Sequence, residues 1–354
     1  MLTPEVSRGR VDNFLNDHFV SLEQATRHQG EAYQRMIHIT KDVAMAGGKR
    51  LRPFMSMLMY EAYSGKSSEK ILPVAAAQEV MHLAMLVHDD IMDGDLVRHG
   101  EPNVTARVFE EYKELIPDEA ERRHRAEHTA LLMGDLLVGE AYGLTDDIDG
   151  VDPKVMGRTR RLFRTAMRTV VGGQLHDFEA PFIGDRAASP RRIAHDKTAH
   201  YTFVTPLLVG ATLAEAPDEE LDKLQRIGET TGIAYQLRDD ILGVFGDPDI
   251  TGKSADGDLR EGKRTLLSEV FTSVASAEEK ERFEMLQGYM RANPDDATPA
   301  RHLRTLLEPA QRIVEREIQG SRGEVTHLIG ELAIRSDYRR ALKKLVVRSL
   351  DRDH

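Results

Sequence analysis

The sequence predicts an all-α fold in which residues 1–354 form a single domain. Apolar residues recur with the 3.6-residue period of a helix along most of the chain, while the two-residue alternation of a half-buried strand is almost absent. Several segments, such as 75–87 and 201–214, are apolar on most faces, which is typical of helices inside a bundle or at a subunit interface. No fixed-period repeat and no low-complexity linker divides the chain.

Each helix is predicted from such a segment and from the residues that end it. Residues 71–93 illustrate this, because they contain long-side-chain helix formers and no glycine or proline after Pro73. In chain order, the predicted helices are 11–28, 51–63, 71–93, 126–142, 155–179, 198–215, 219–245, 263–274 and 301–349. Glycine and proline separate them at 47–48, 94, 100–102, 150–153, 184–190, 217, 246–248 and 293–294. The mixed charge run at 110–128 is predicted to be a solvated loop or helix face.

The composition excludes several classes of protein. The chain has 48 Lys and Arg against 59 Asp and Glu, a net charge of −11 and a pI near 5.7. This balance argues against a general attraction to nucleic acid or anionic lipid, although it is compatible with a local basic pocket. The absence of cysteine excludes disulfides, iron–sulfur clusters, thiolate zinc sites and a cysteine nucleophile.

The chain is expected to be soluble. Its first 19 residues contain no continuous apolar core and therefore do not resemble a secretory signal. No apolar run reaches the roughly 18 residues that a membrane span needs. The sequence predicts a cytoplasmic protein that has no membrane span and no nucleic acid partner.

An acidic cluster ends one of the apolar helices. Asp89, Asp90 and Asp93 stand at positions i, i+1 and i+4, so Asp89 and Asp93 share a helix face. Two carboxylates this close repel each other unless a cation lies between them, and hard oxygen ligands favour Mg²⁺. A solvated helix end is the alternative, and for an isolated DDxxD pattern it is the more common one.

A second acidic pair favours the metal hypothesis. Asp239 and Asp240 also follow an apolar helical run, which suggests that the carboxylates of two buried helices face one another across a cavity. Mg²⁺ held by few protein ligands completes its octahedron with water and substrate phosphates, so cationic side chains are expected nearby.

Basic residues occur before, between and after these acids. They lie at 47–53, Arg98, Lys197, Lys253 and Lys263. Lys197 and Thr198 are predicted to begin a helix, where free N–H groups also favour an anion. Each basic residue alone is more often a surface charge, but five basic clusters interleaved with two acidic pairs are hard to explain by chance.

The order and spacing of these motifs resemble the trans-isoprenyl diphosphate synthases, which make geranyl, farnesyl, geranylgeranyl and longer diphosphates. The matching segments are GGKRLRP at 47–53, EVMHLAMLVHDDIMDGDLVRHGEPN at 79–103, LLMGDLL at 131–137, GGQLHDFEA at 172–180, DKTA at 196–199, YQLRDDILG at 235–243 and GKSADGDLREGKRT at 252–265. The resemblance implies an isoprenoid synthase-like fold, a single large helical bundle around a central cavity. It also implies a prenyltransferase of isoprenoid biosynthesis, and the family is typically homodimeric.

The resemblance implies a role for each matching residue. The metal ligands are Asp89, Asp93 and Asp239, with Asp90 and Asp240 adjacent, and up to three Mg²⁺ ions are expected. The residues implied to hold isopentenyl diphosphate are Lys49, Arg52, His82 and, at the position of a second arginine, His99. Those implied to hold the allylic diphosphate are Arg98, Lys197, Thr198, Gln236 and Lys253. A polar pair implied to line the cavity is Gln174 and Asp177, although both are equally well explained as polar core residues.

The implied reaction is the Mg²⁺-dependent head-to-tail (1′-4) condensation of isopentenyl diphosphate with dimethylallyl, geranyl or farnesyl diphosphate, which releases diphosphate. The allylic C–O bond breaks to give a carbocation, the isopentenyl double bond attacks it, and a proton leaves to the released diphosphate. No protein nucleophile is required, in agreement with the absence of cysteine. The apolar helices are expected to line a tunnel that shields the cation from water.

The sequence departs from the family pattern at three places. The usual Arg-Arg after the first motif is Arg98-His99 here, and a histidine is only partly protonated near neutral pH. The third aspartate of the second motif is replaced by Gly243, but activity is expected to survive because the first aspartate is the principal ligand. The interval between Pro102 and Gly134 is longer than usual, and the excess is interpreted as a charged loop at 110–128.

Product length is predicted from the residues that precede the first acidic motif. Counting back from Asp89, Met85, Ala84 and Met81 are the positions that the growing chain is expected to pass. In the family a bulky aromatic at the fourth or fifth position back stops growth at farnesyl, and neither Met85 nor Ala84 closes a tunnel in that way. We therefore expect geranylgeranyl diphosphate (C20), with farnesyl or longer chains as alternatives.

Three alternative functions account for less of the sequence. A metal-dependent phosphohydrolase that uses His82, His88 and Asp89 would not require the second acidic pair. A class I terpene cyclase binds one diphosphate, so the GGKRLRP cluster counts against it. A non-catalytic regulatory subunit of a heteromeric synthase tends to lose an aspartate motif, whereas both pairs are present here.

Overall fold

A computed structural model of the protein describes residues 2–98, 100–146, 148–246, 259, 264–293, 296 and 298–351. It contains two compact units, Met1–Phe163 with Val209–Ala216 and Arg164–Leu208 with Pro217–His354. Both units are helical, and the strands among the described residues are limited to one antiparallel pair, β1 (Val97–Arg98) and β2 (Glu101–Pro102). The all-α prediction is confirmed, while the prediction of a single domain stays a prediction.

The first unit consists mainly of six helices and the start of a seventh. They are α1 (Pro4–Ala25), α2 (Glu31–Met45), α3 (Leu51–Ser64), α4 (Leu72–Asp93), α5 (Val104–Glu111), α6 (Glu119–Gly143) and the first residues of α7 (Pro153–Ile183). Side-chain caps begin several of them, since Thr3 accepts a hydrogen bond from the Val6 N–H and Asp118 accepts one from the Glu121 N–H. These caps satisfy N–H groups that have no partner inside their helix.

Helix α4 packs against α1, α3 and α6. One side of it is fully buried, with Val80, Ala84 and Val87 each at most 2% exposed. Burying an aliphatic side chain of this size contributes about 1.5–3 kcal/mol, so this side fixes the rotation of the helix. The helix ends at Gly94, whose φ of 71° is left-handed and whose N–H donates to the carbonyls of Asp90 and Ile91.

The second unit contains the rest of α7, two long helices and several shorter ones. They are α8 (Pro190–Ile193), a π-helix (Ala194–Val204), part of α9 (Thr205–Leu213), α10 (Asp218–Phe245), α11 (Leu266–Val274), α12 (Ala277–Ala292), α13 (Thr298–Glu331) and α14 (Ser336–Leu350). Helix α10 packs against the π-helix and against α13. Two of the short helices begin with capping boxes, Thr265 with Ser268 and Ser276 with Glu279.

Glycines let the π-helix approach its neighbours closely. A Cβ at Gly173 on α7 would overlap the backbone of Lys197, and one at Gly232 on α10 would overlap Ala199. A Cβ at Gly228 would overlap the backbone of Val204 in the same way. Backbones at this separation leave no room for a side chain, so the glycines determine how near α7 and α10 lie to the π-helix.

Several predicted helix boundaries differ from those of the structure. Helices α2, α5 and α12 were not predicted, and the predicted helix 301–349 is two helices, α13 and α14. The loop within the segment 110–128 is limited to residues 112–118, because α5 ends at Glu111 and α6 begins at Glu119 behind the Asp118 cap. The rest of the segment forms helix faces, the other form that the sequence predicts for it. These segments are strongly charged, and their apolar period is short or interrupted.

The prediction that Lys197 and Thr198 begin a helix is also wrong. The helical segment starts seven residues earlier at Pro190, behind Ser189, whose Oγ accepts a hydrogen bond from the Arg192 N–H. Lys197 and Thr198 therefore lie inside the π-helix. Any anion they contact meets their side chains rather than the free N–H groups of a helix N-terminus.

One described segment, Ser68–Asp93, is long and apolar enough to cross a membrane when hydropathy is averaged over 18 residues. The sequence contains no uninterrupted apolar run of that length. More than half of the 18-residue window is buried inside the structure, as in the core helix of a globular protein.

Candidate active site

The acidic end of α4 presents two different environments to its carboxylates. Asp89 is half-buried and Asp93 is exposed, and both lie on the side of the helix opposite Ala84 and Val87. Asp90, in contrast, is 4% exposed. The predicted shared face of Asp89 and Asp93 is therefore the accessible one.

Asp90 is held by an arginine. Its Oδ1 accepts hydrogen bonds from Nε of Arg98, at 2.9 Å, and from Nη2 of the same guanidinium. Nη2 also lies 3.6 Å from Oδ2 of Asp89. Burial raises the pKa of Asp90 above its ordinary value, although the hydrogen bond and charge of Arg98 act to lower it. Burial acts to lower the pKa of Arg98, but its hydrogen bond to Asp90 and the charges of the nearby carboxylates raise the pKa overall.

A hairpin positions Arg98. It is formed by β1 and β2, and Gly100 in its turn has a φ of 81°, which favours glycine. Asn103 fixes the far side, because its Oδ1 accepts from the Ala106 N–H at 3.0 Å and its Nδ2 donates to the Asp95 carbonyl at 2.7 Å. His99 lies outside the described residues.

The LLMGDLL motif on α6 makes room for the histidine beside the acidic cluster. A Cβ at Gly134 would overlap the ring of His88. The Nε2 atom of His88 lies 3.4 Å from the Leu131 carbonyl and 3.7 Å from Oδ1 of Asp135. Gly134 therefore sets the spacing between α6 and the residue that precedes Asp89.

The predicted isopentenyl diphosphate residues of the first unit lie on two elements. Lys49 is exposed in the turn between α2 and α3, and Arg52 is half-buried in the first turn of α3. Gly47 and Gly48 precede them with φ values of 133° and 127°, which β-carbon-bearing residues rarely adopt. His82 is half-buried on α4, seven residues before Asp89 and therefore on the same helix face.

In the second unit, a chain of hydrogen bonds joins the π-helix to α10 and α11. Thr198 Oγ1 donates to Oε1 of Gln236 at 3.0 Å, and Nε2 of Gln236 donates to Oδ1 of Asp240 at 2.9 Å. The Leu266 N–H donates to the other oxygen of Asp240 at 2.7 Å. Asp240 is buried, while Asp239 is half-buried.

A second link joins the π-helix to α7. Lys197 Nζ donates to Oδ2 of Asp177 at 2.7 Å, across the close approach that Gly173 permits. Gln174, the other member of the predicted polar pair, is half-buried one turn before Asp177. The structure thus brings together Lys197 with Asp177 and Thr198 with Gln236, as two separate contacts of the π-helix.

Of the remaining predicted positions, Lys253 lies outside the described residues. Met81 is 7% exposed and Ala84 is fully buried, whereas Met85 is half-buried. Within the described part of the chain, no three His, Cys, Asp or Glu side chains are grouped so that they could hold a metal ion.

Sequence reasoning missed three features of the site. Arg50 lies within GGKRLRP but was given no role, and in the structure it is 7% exposed. Gly134 and Gly173 were noted only as motif letters, although each marks a close approach. A glycine inside an apolar helical motif was the available signal, since it costs about 1 kcal/mol relative to alanine and needs a packing reason.

Comparisons with known proteins support these observations. Residues 33–303 match the family model described as polyprenyl synthetase. The chain is 30% identical over 289 residues to a geranylgeranyl diphosphate synthase of Saccharolobus solfataricus, which covers 81% of this chain and 77% of that protein. It is 33% identical to a geranylfarnesyl diphosphate synthase of Aeropyrum pernix, over 73% of this chain and 75% of the relative.

A solved structure is similar over nearly the whole chain. It is a geranylgeranyl pyrophosphate synthase from Corynebacterium glutamicum, complexed with isoprenyl diphosphate and magnesium. The TM-score is 0.84 with 30% sequence identity, and the match covers 97% of this chain and 99% of that one.

Proposed function

The chain belongs to the polyprenyl synthetase family, and from this premise we propose that it catalyses the Mg²⁺-dependent head-to-tail (1′-4) condensation of isopentenyl diphosphate with an allylic diphosphate. It is a prenyltransferase of the all-α isoprenyl diphosphate synthase group. The proposed allylic substrates are dimethylallyl, geranyl and farnesyl diphosphate.

One observation carries the proposal above all others. On the accessible face of α4, His82, Met85, Asp89 and Asp93 follow one another within three turns, while the opposite face is buried. From the carboxyl end, this face presents two carboxylates, then the apolar Met85 and then His82. Carboxylates beside an apolar side chain suit a substrate that has a diphosphate head, held through a cation, and a hydrocarbon tail.

The donor set fits magnesium better than a transition metal. Asp89 and Asp93 offer hard carboxylate oxygens one turn apart, and the described residues provide no histidine or cysteine cluster that would favour zinc. Two protein carboxylates leave most of an octahedron for water and substrate phosphate oxygens, which is how Mg²⁺ is usually held. We assign Asp89 and Asp93 as Mg²⁺ ligands in the first unit, and Asp239 as a ligand of a further Mg²⁺ in the second.

The second aspartate of each pair is assigned a supporting role. Asp90 is buried against Arg98, and Asp240 is buried against Gln236 and the Leu266 N–H. Neither carboxylate lies on the accessible side of its helix. We infer that Asp90 and Asp240 orient the ends of α4 and α10 and do not contact the metal directly.

The basic residues are proposed to hold the two diphosphates. Lys49, Arg52 and His82 bind isopentenyl diphosphate in the first unit, where Lys49 is exposed and the other two are half-buried. In the second unit, Lys197 and Thr198 contact a diphosphate, with Asp177 and Gln236 orienting them. Arg98 and Lys253 are assigned to the allylic diphosphate as well.

The chemistry needs charge stabilisation at the leaving diphosphate. Mg²⁺, when bound, supplies positive charge to the oxygens of the departing group. The fixed cations of the chain add to that effect, because preorganised groups need not reorient as charge develops. The allylic C–O bond then breaks, the isopentenyl double bond attacks the carbocation, and the proton lost from the new chain passes to the released diphosphate. Apolar side chains such as Met85 and Leu86 keep water from the carbocation.

We propose geranylgeranyl diphosphate as the product. Met85 lies on the Asp89 face and is half-buried, and its flexible side chain does not close a tunnel as an aromatic ring would. Ala84 is fully buried and lies about 140° around the helix from Asp89. Farnesyl and longer diphosphates are the alternative products.

The product assignment is tested at Met85 and at the buried positions beside it. Ala84→Phe and Met85→Phe should shorten the product to farnesyl, and Met85→Ala combined with Met81→Ala should lengthen it. Because Ala84 is fully buried, a phenylalanine there overpacks the core at a cost of about 1–3 kcal/mol. Melting temperature must therefore accompany each product profile. Unchanged profiles in folded Met85→Phe and Met85→Ala/Met81→Ala variants would place the end of the tunnel elsewhere.

We also propose that the protein forms a homodimer. Helix α7 carries an exposed apolar stripe, Val171, Leu175, Phe178 and Phe182, at spacings of four, three and four residues. Single exposed apolar residues are ordinary, but a stripe on one helix face is typical of an interface. Sedimentation equilibrium of the wild type and of Phe178→Ser with Phe182→Ser should give a dimer and a monomer respectively.

One assay tests the reaction itself. Labelled isopentenyl diphosphate is incubated with each allylic primer, with and without EDTA, and the extracted products are weighed by mass spectrometry. We expect Mg²⁺-dependent chain extension that EDTA abolishes. A folded protein that extends no primer would support a regulatory subunit, and phosphate release without chain extension would support a phosphohydrolase.

A further inference from the structure

The turn that carries Lys49 is closed by the side chain of the next residue. Arg50 Nη2 donates to the carbonyl of Ala44 at 2.6 Å, in the last turn of α2. The Arg50 backbone, meanwhile, precedes the first residue of α3. The side chain thus spans the base of the 45–49 turn and joins the end of one helix to the start of the next.

Two carboxylates on other helices hold the same guanidinium. Nε of Arg50 donates to Oδ1 of Asp12 on α1 at 2.8 Å, and Nη1 donates to Oε2 of Glu79 on α4 at 3.3 Å. Every guanidinium nitrogen therefore has an acceptor on a different helix. Such a fork needs the planar, multi-donor geometry of arginine, which lysine cannot reproduce.

This guanidinium is not available to a substrate. Arg50 is 7% exposed, and its partner Glu79 is also 7% exposed. The neighbouring Lys49, in contrast, is exposed. Adjacent cations of one motif are thus divided between a solvent-facing position and an enclosed one.

The backbone of Arg50 shows that the side-chain contacts dictate the local conformation. Its φ and ψ are both 45°, in the left-handed region that costs a non-glycine residue roughly 1–2 kcal/mol. Gly47 and Gly48 before it also have positive φ. Three of the four residues 47–50 therefore have a backbone conformation that favours glycine. A strained residue persists only where its surroundings determine it strongly.

We propose that Arg50 is a positioning residue for isopentenyl diphosphate, which fixes Lys49 and Arg52 through its contacts with Asp12, Glu79 and Ala44. This inference rests on the proposed function, because it assumes that Lys49 and Arg52 hold that substrate. Arg50 itself does not touch the diphosphate. Loosening its contacts lets the turn and the first residues of α3 move, so the affinity for one substrate falls.

Arg50→Lys and Asp12→Asn test the proposal in the full-length protein. Arg50→Lys keeps the charge and the same backbone cost but loses the fork, and Asp12→Asn weakens the α1 contact without altering the turn. We expect each to raise the KM for isopentenyl diphosphate about tenfold, as small misplacements of binding groups do. The KM for the preferred allylic primer and the kcat at saturation should change less than about twofold. The double variant should be no worse than Arg50→Lys, because both changes loosen the same contacts.

A surface arginine provides the matched control. Arg35 on α2 also lies near two carboxylates, Glu31 at 4.0 Å and Glu111 at 3.5 Å, but its side chain is 40% exposed. Arg35→Lys should leave both KM values unchanged. Melting temperatures of all variants show whether general destabilisation, which would affect both substrates, accounts for any change.

Lys49→Ala separates failure of this proposal from failure of the proposed function. If Lys49→Ala leaves the KM for isopentenyl diphosphate unchanged, the substrate does not bind at this turn and the proposed site is wrong. If Lys49→Ala raises it but Arg50→Lys and Asp12→Asn do not, Arg50 has no positioning role. Equal increases in both substrate KM values for Arg50→Lys would also overturn the proposal, since they indicate a general structural effect.

Discussion

Helices α4 and α10 both carry two adjacent aspartates near their carboxyl ends, with the first half-buried and the second buried. In α4 the buried Asp90 is paired with the guanidinium of Arg98. In α10 the buried Asp240 accepts hydrogen bonds from the Gln236 amide and the Leu266 N–H, which are neutral donors. The buried aspartate thus accepts hydrogen bonds from a charged guanidinium in α4, and from an amide and a backbone N–H in α10.

This difference in hydrogen-bond donors shows that the two aspartates of a pair can keep the same exposures while the groups that hold the buried one change. The accessible aspartates of the two pairs lie in similar environments. Each buried aspartate, in contrast, is adapted to its own surroundings. The α4 pair has a counter-charge from Arg98, whereas Arg238, which adjoins the α10 pair in sequence, donates through Nε to the Leu350 carbonyl. We therefore expect the accessible aspartates to respond alike to substitution and the buried ones to respond differently.

The largest effect is expected at the accessible positions. Asp89→Asn and Asp239→Asn should each lower kcat/KM by at least about a hundredfold, because a group that stabilises the developing charge is lost. The fold should be retained, and in metal-free buffer the melting temperature should not fall, since one of two repelling carboxylates is removed. Steady-state kinetics with saturating Mg²⁺ measure the loss. Near-normal turnover in either variant would contradict its assignment as a metal ligand.

The buried positions should differ in stability. Asp90→Asn leaves the mostly buried Arg98 cation without its carboxylate, and we expect a loss of about 2–3 kcal/mol. Asp240→Asn keeps one carbonyl acceptor for its two neutral donors, the Gln236 amide and the Leu266 N–H, so a loss of about 1 kcal/mol is expected. Urea unfolding followed by circular dichroism gives both values.

A matched variant identifies the cause of the larger loss. Arg98→Met combined with Asp90→Asn removes both members of the pair and should recover part of the stability lost in Asp90→Asn alone. Equal losses for Asp90→Asn and Asp240→Asn would mean that the counter-charge makes no difference to how the pairs are held.

Alanine substitutions at the glycines that set the helix spacing near the two aspartate pairs should also differ in their effects. An alanine at Gly232 would overlap the backbone of Ala199, which cannot move aside, and should cost about 2 kcal/mol. An alanine at Gly134 would overlap only the side chain of His88, which can rotate away. Gly134→Ala should therefore be less destabilising and should instead raise the Mg²⁺ concentration needed for half-maximal activity, because His88 adjoins Asp89. A larger stability loss in Gly134→Ala than in Gly232→Ala would contradict this reading of the two contacts.

The sequence was sufficient for the fold class and for the face that the first acidic cluster shares. Helical period identified α4 and α10, and the i, i+4 spacing of Asp89 and Asp93 correctly placed both on one accessible face. The sequence could not show that Asp90, and not Asp89, is the buried aspartate that accepts from Arg98. That contact depends on the β1–β2 hairpin, which carries Arg98 to the end of α4. The π-helix around Lys197 was also not predicted, because π-helices are rare and the segment was therefore assigned to the far commoner α-helix.

The smallest expected effect concerns a histidine of the second unit. His200 lies in the π-helix, near His195, Asp196 and Glu229, and its Nδ1 is 3.4 Å from the Thr205 hydroxyl. Burial, followed by the charge of His195, lowers the pKa of His200 below its ordinary value, although the two carboxylates act to raise it.

As the pH falls below about 6.5, the unfolded chain takes up a proton at His200 before the folded chain does. Stability should therefore decline as the pH falls from that point toward the lower folded pKa. His200→Gln should flatten the decline between pH 7 and 5 in urea unfolding, whereas His327→Gln, at an exposed histidine on α13, should not. An identical pH dependence in wild type and His200→Gln would show that His200 does not resist protonation in the folded protein.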